Sequence, residues 1–426
     1  MRTSRLHASL LPLLLFPALA GAQGQVHVVD AAAGPGTDFT DIQPAVDAAA
    51  EDDVVLVRAG TYGGFTLQQK GLVVTADLGA QVELTGQVVV RDLTVTQDVV
   101  LRGLVLNDSN LAPEEWMRLV DNAGRLWIED CAVGTGFIFS GTRHGVSVEN
   151  CEDVSLLRCQ LSGGNALISV FGPVGTIGGD GLQIDGSNVY LYDCTATGAA
   201  GAGSVSGSPA FLGGAGAVID GGFVWASGTT FQGGLGGDGN PGGAFGPPCI
   251  GGEDGGPGLW MRSGQIAFRW LDSTFTGGAG GADPGPFCSE TGGDPGPDLL
   301  QDTGLIETFP GPAHHLTIDA PVREGETADL TFGGEPGESA FLLLALAQDP
   351  FYRIEFSGIL LPDEPPLVLF QGVVPPVGDL VTGIPIPSFG PAVQSLLFYG
   401  QAIFLTATPG LVLSGGSAAI LLDPAF

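Results

Sequence analysis

The chain is short of positive charge. Its 426 residues include 14 Lys+Arg against 46 Asp+Glu, a net charge of −32 at pH 7, and Lys70 is the one lysine. Phosphate recognition needs a positive surface, so nucleic acid is excluded as a partner. Charge of either sign is scarce at 14% of residues, yet 44% are hydrophobic. That excludes global disorder and predicts a buried core, with length enough for two domains or one long stack of repeats. Long apolar runs are missing too. Past the first residues none approaches the roughly 18 apolar positions of a membrane helix, and the longest, Phe341–Ala347, is strand-sized. The mature chain is expected to have no membrane span.

What is present begins with a leader. Residues 1–22 carry Arg2 and Arg5, an apolar run from Leu10 to Ala20, and small residues at Ala18, Ala20 and Ala22. This is the pattern of a secretory signal peptide, and it predicts a secreted, extracellular or cell-surface protein, expected as a monomer. Such a compartment permits disulfides, which bears on the six cysteines.

Glycine is concentrated: 40 of the 71 fall between Gly163 and Pro297. Ahead of that stretch, Val26–Val29 alternates, a helical spacing runs through Ile42, Val46 and Ala49, and Val54–Val57 reads as a buried strand. A repeat then takes over. Its template is apolar, any, apolar, two corner residues, apolar or small, any, apolar. It fits Val88/Val90/Leu93/Val95, Val99/Leu101/Leu104/Leu106, Leu126/Ile128/Cys131/Val133, Val154/Leu156/Cys159/Leu161, Val189/Leu191/Cys194/Ala196, Val224/Ala226/Thr229/Phe231 and Phe268/Trp270/Ser273/Phe275. Alternation on both sides of a two-residue corner describes two short strands meeting at a bend. The second corner residue is Asp92, Gly103, Asp130, Arg158, Asp193, Gly228 or Asp272. Gly and Asp tolerate a left-handed backbone at least cost, and nothing in the sequence accounts for Arg158. A further strand precedes each later match (Val146/Val148, Leu182/Ile184, Ala217/Ile219, Leu259/Met261), so a rung holds three strands. Gly-rich loops are expected after the third strand, at 163–179, 198–215, 233–257 and 277–297, all on one side.

The segment "GTDFTDIQPAVDAAAEDDVVLVRAGTY" resembles the opening of right-handed parallel β-helix proteins of the pectate-lyase-like superfamily. The resemblance implies an all-β fold, a right-handed parallel β-helix over residues 25–300 with an N-terminal helix capping an otherwise exposed end. Residues 301–313 read as a linker. Residues 314–426, with few charges and apolar runs between Gly/Pro turns, read as a small antiparallel β-sandwich. They resemble a terminal β domain of large secreted bacterial proteins.

Cys249 and Cys288 lie in corresponding loops, "FGPPCIGG" and "PGPFCSET", and are expected to form a disulfide. Cys131, Cys159 and Cys194 occupy the inward column, where free thiols pack well, although one rung of separation also permits a Cys131–Cys159 bridge. The state of Cys151 is open.

Chemistry is expected on the outer face of the first strands. There Glu149, Asp185, Asp220 and Arg262 form one column over four rungs, and a one-residue slip would bury three carboxylates. Carboxylates one rung apart repel, so they hold a cation, share protons or turn to solvent. Hard oxygen ligands favour Ca²⁺, with Glu149, Asp185 and Asp220 as the ligands. The family resemblance implies the same set on a uronate substrate with Arg262 as the base. Yet no further basic residue is there to meet a substrate carboxylate, and a strongly acidic protein repels polyuronates. Glycoside hydrolysis by Asp185 and Asp220, with His144 moving a proton, is the alternative. Tyr190, Tyr192, Trp225 and Trp260 also point outward and are candidates for stacking on sugar rings. Three readings stay open: a binder of polysaccharide or cell-surface glycan, a polysaccharide lyase or glycoside hydrolase, and a noncatalytic adhesive or structural surface protein.

Overall fold

The computed structural model describes residues 24–107, 115–134, 137–138, 143–166, 177–204, 209–242, 249–286, 288–353, 355–363, 365–390, 393–406 and 410–426. The leader at 1–22 lies outside them. The described residues contain no helix long and apolar enough to cross a membrane.

Residues 25 to 309 form the expected right-handed parallel β-helix. Each rung contributes a first, a second and a third strand, and neighbouring rungs pair in parallel: Val146 with Leu182 and Leu182 with Ala217 in the first strands, Val154 with Val189 in the second, Leu161 with Ala196 in the third. The inward residues are buried and make one continuous core. Helix α1 (Ile42–Ala48) closes the N-terminal end. Asp41 accepts the Ile42 amide proton at its start, Ile42, Ala45 and Val46 face the core, and Lys70 donates to Val46 and Ala49 carbonyls at its end.

The corner residues behave as their chemistry demands. Asp92, Gly103, Asp130, Arg158, Asp193, Gly228 and Asp272 all have positive φ, from 46° to 71°. Six sit at the bend between second and third strands. Asp92 belongs to the other bend, because Val88–Arg91 pairs with the first strands Phe65–Gln68 and Glu115–Val120. The two bends use the same residue types, as Asp121, Asn150 and Gly186 show, so the template does not separate them.

Two boundaries differ from expectation. Leu305–Phe309, read as linker, pairs with Ile266–Leu271 and extends the β-helix by part of a rung. The described parts of the Gly-rich segments are not irregular loops, while 167–176, 205–208, 243–248 and 287 lie outside the described residues. The described parts are strands with a three-residue period, hydrogen-bonded in two layers, one running out from the third strands and one returning to the first. Outgoing neighbours bond through Gly198, Gly201 and Ser204 to the carbonyls of Gln232, Leu235 and Asp238. Returning neighbours bond through Gly213 and Gly216 to Asp254 and Pro257. The layers are stitched by a zigzag, Gly296 to Gly278 to Gly256 to Gly234 to Gly214, each N–H to carbonyl at 2.8 Å. This is the geometry of polyproline-II strands packed side by side. Two residues of every three face a neighbouring backbone, and at Gly198, Gly214, Gly234, Gly256 and Gly278 the neighbouring carbonyl lies so close that there is room for hydrogen alone. The third faces outward and its N–H is outside the lattice. Proline sits there at no cost (Pro257, Pro297), or an aspartate of the preceding rung accepts that N–H, as Asp180 does from Ala215 and Asp254 from Asp294. The Cys249–Cys288 disulfide, with Cα atoms 5.7 Å apart, joins two rungs at the tip. Cys131, Cys151, Cys159 and Cys194 are free and buried, which settles the inward column as packing.

The C-terminal β-sandwich, with strands Ser395–Leu405 and Leu411–Leu422 at its centre, lies on the outer face of the second strands. At this interface Arg158 finds its reason. Its left-handed backbone aims the guanidinium into the contact, where it donates to Asp130 (2.8 Å), to the carbonyls of Leu316 and Gly416, and to Glu129.

A second polar cluster sits nearer the N-terminal end of the interface. Burial pushes the Asp98 carboxyl up to about 7, against the pull of Arg125 at 3.7 Å. Asp153 rises to about 6 by burial, although Tyr190 donates to it at 2.6 Å. Both start near 3.8 in the unfolded chain. Protonation therefore favours the docked state: the contribution is complete below about pH 4 and is lost as pH rises through 6 and 7. The melting temperature at pH 5 is expected to exceed that at pH 8, and Asp98→Asn should remove the larger part of that difference in scanning calorimetry. An undiminished difference in the variant would assign it to the net charge of the whole protein instead.

Candidate functional site

Of the two broad outer faces of the β-helix, the second-strand face is closed by the C-terminal sandwich. That corrects the expectation for three aromatics. Tyr190, Tyr192 and Trp225 do point away from the β-helix core, but they are 4%, 1% and 0% exposed. Tyr192 exchanges hydrogen bonds with the backbone of Ile359, and Trp225 packs edge-on against Phe309. Their outward alternation was readable, whereas the residues that cover them, such as Phe309 over Trp225 and Ile359 over Tyr192, lie far along the chain. These rings stabilise the domain contact and are closed to sugars.

The first-strand face is open. Pairing brings Glu149 beside Asp185 and Asp185 beside Asp220, and Arg262 follows from the Ile219–Met261 pair, so the column exists as drawn. Its ends are engaged. Arg262 makes a two-point contact with Asp220 through Nε (3.0 Å) and Nη2, and Ser263 donates to the same carboxylate at 2.7 Å. Arg118 and Ser147 hold Glu149 at 3.1 and 2.9 Å. Asp185 alone is exposed with a carboxylate that has no hydrogen bond or ion pair among the described residues.

These contacts decide between chemistries. A calcium ion needs several oxygens converging on one point, and two of the three carboxylates are committed to arginines. Among the described residues no three His, Cys, Asp or Glu side chains gather as a metal site, so the column does not fit calcium. Arg262 does not suit the role of a base either. Its hydrogen bond to Asp220 raises its proton affinity, the opposite of what proton abstraction requires.

His144 stands at the entry to the same face. Its Nδ1 accepts the Asp180 backbone N–H at 3.0 Å and lies 3.3 Å from the Asp180 carboxylate, and Gln183 bridges the pair, 2.9 Å from Asp180. Asp180 went unnoticed in the sequence because it lies in the Gly-rich stretch, outside the repeat. Trp260 is the one candidate ring on the open face. Its indole N–H donates to Asp302 at 2.8 Å, which fixes the ring, and Arg262 lies 5.6 Å from its centre. A partly exposed indole fixed by that hydrogen bond among carboxylates can take the apolar side of a ring-shaped ligand.

No family model matches the chain, and none of the curated proteins does. Among solved structures the chain is similar to the enzymatically active domain of bacteriophage CBA120 tailspike protein 4, at 10% identity and a TM-score of 0.20, over 86% of this chain and 64% of that one. The chain thus spans just under two thirds of that domain's length. The strand register carries the fold by itself, and the chain is a parallel β-helix with a C-terminal β-sandwich.

Proposed function

We propose that the protein is exported and binds polysaccharide on its first-strand face without turning it over. The observation that carries this reading is Trp260, a partly exposed ring fixed by Asp302 beside the Asp220–Arg262 pair, on the β-helix face that the C-terminal domain leaves open. Asp185 and Gln183, both on the first strand two rungs from Trp260, supply hydrogen-bonding groups on the same face, with rungs at the strand spacing of about 4.8 Å. The lyase reading loses support because Arg262 is committed to Asp220. The hydrolase reading keeps Asp185 free but has no second carboxylate beside it that is equally unengaged.

Titration against a panel of neutral and acidic polysaccharides tests this. Trp260→Ala is expected to weaken binding by about tenfold, in line with loss of one stacked ring, while leaving the fold intact because the side chain is outside the core. Equal binding by wild type and variant removes the face from consideration. Release of new reducing ends or of unsaturated products would make the protein an enzyme.

A further inference from the structure

The returning layer of the glycine lattice does not stop at the β-helix; it runs straight into the first strands. Gly181, Gly216 and Gly258 donate to Ala215, Pro257 and Pro297 of the next rung, and at the next residue the first-strand pairing begins. Outward residues of lattice and strand are therefore in register on one surface. Asp180 and Gln183 demonstrate the shared face by their 2.9 Å contact. Reading across the last rungs, the two middle rows present Pro257 and Pro297 beside Trp260 and Leu300. Carboxylates flank them on both sides: Asp254 and Asp294 on the lattice, Asp220 and Asp302 on the strands.

Most donors on this surface are committed. The Trp260 N–H is given to Asp302, and Arg262 gives Nε and Nη2 to Asp220. What remains on offer is an apolar strip bordered mainly by acceptors. Such a surface suits a ligand with a flat apolar face and hydroxyl donors along its edges. A peptide brings as many carbonyl acceptors as donors, and most of those would meet no partner here. An anionic polymer meets a surface of its own sign in a protein of charge −32.

We infer that the glycine lattice is the second half of the binding platform, and that the ligand is a neutral, hydroxyl-rich glycan lying across both halves with its apolar side on Pro257, Trp260 and Pro297. This rests on the glycan-binding reading of the first-strand face and extends it.

The experiment is calorimetric titration of short and long neutral gluco-oligosaccharides, with a polyuronate and a proline-rich peptide as competitors, at low and high salt. Pro297→Ser and Asp294→Asn alter exposed side chains and leave the lattice carbonyls in place. Each is expected to weaken binding of long oligosaccharides severalfold at unchanged melting temperature, with little effect of salt. Leu235→Ser, on the outward surface of the other layer, should bind as wild type does. If Trp260→Ala weakens binding while Pro297→Ser and Asp294→Asn do not at any chain length, the lattice is no part of the platform and the first-strand reading survives. Tighter binding of the polyuronate or the peptide overturns the ligand class. Absence of binding to any glycan sinks both readings together.

Discussion

Gly234→Ala is expected to unfold the lattice, with a loss of more than about 4 kcal/mol or failure to accumulate as folded protein. A Cβ at this position would lie 1.9 Å from the Ala199 carbonyl oxygen, 2.4 Å from its carbon and 2.8 Å from the Gly198 oxygen. All three are backbone atoms, so no rotamer change relieves the contact. Moving the strand away breaks the 2.8 Å bond from Gly234 to Gly214 and strains the one it receives from Gly256. Each rung is bonded to the next, so the displacement propagates, as it does wherever stacked units share every interface. The control is the next residue. Leu235 faces solvent at 56% exposure, and Leu235→Ala should change the melting temperature hardly at all. Chemical denaturation of both variants checks the pair. Similar stabilities would mean that the glycine stretch is a loose loop after all and that its hydrogen bonds contribute nothing.

The same stretch shows what a sequence displays and what it conceals. The β-helix was legible because its signal is hydropathic: alternating Val, Leu and Ile on either side of a Gly or Asp corner leave an imprint that survives variable rung length. The lattice leaves no hydropathic imprint, since most of its inward positions are glycine. Its mark is spacing, as in "GGLGGDG" and "GGEDGGPG", where glycine takes most of two positions in every three and Leu, Asp or Pro stands at the third. The acidic residues there have a structural use that spacing alone does not reveal: Asp180, Asp238 and Asp254 each accept a backbone N–H from the next rung. At the candidate site the column Glu149–Asp185–Asp220–Arg262 was legible for the same reason as the strands. That Arg118 would turn to Glu149 was not, because the two occupy different rows. The burial of Trp127, Tyr190, Tyr192 and Trp225 was invisible for a further reason: outward alternation says which side a ring takes, and only tertiary docking says what lies there.

Removal of the Glu129 carboxylate should release the C-terminal domain from the β-helix. Glu129 is fully buried between the two. Burial by itself would raise its carboxyl, but Arg102 and Arg158 outweigh that and hold it below its usual range, so it is ionised. It also accepts from the Trp127 indole at 2.7 Å, the Ser417 hydroxyl at 2.6 Å and the Ala418 amide at 2.8 Å. Arg102 reaches past it to the carbonyls of Ala418 and Ile318, and Arg158 to those of Leu316 and Gly416. One carboxylate thus sets two guanidiniums, and both set the backbone of the docked domain. In Glu129→Ala those cations stay buried without their counter-ion and three donors lose their acceptor, a loss of about 3–5 kcal/mol. Glu129→Gln keeps an acceptor and removes the charge, so it should fall between. Because the loss is confined to the contact, the variant is expected to show two separated transitions in calorimetry and new protease cleavage near residues 310–314. The β-helix transition itself should stay close to that of wild type. A single transition within about 1 kcal/mol of wild type would show that the apolar contact of Trp127, Tyr192 and Trp225 holds the domains together without the charges.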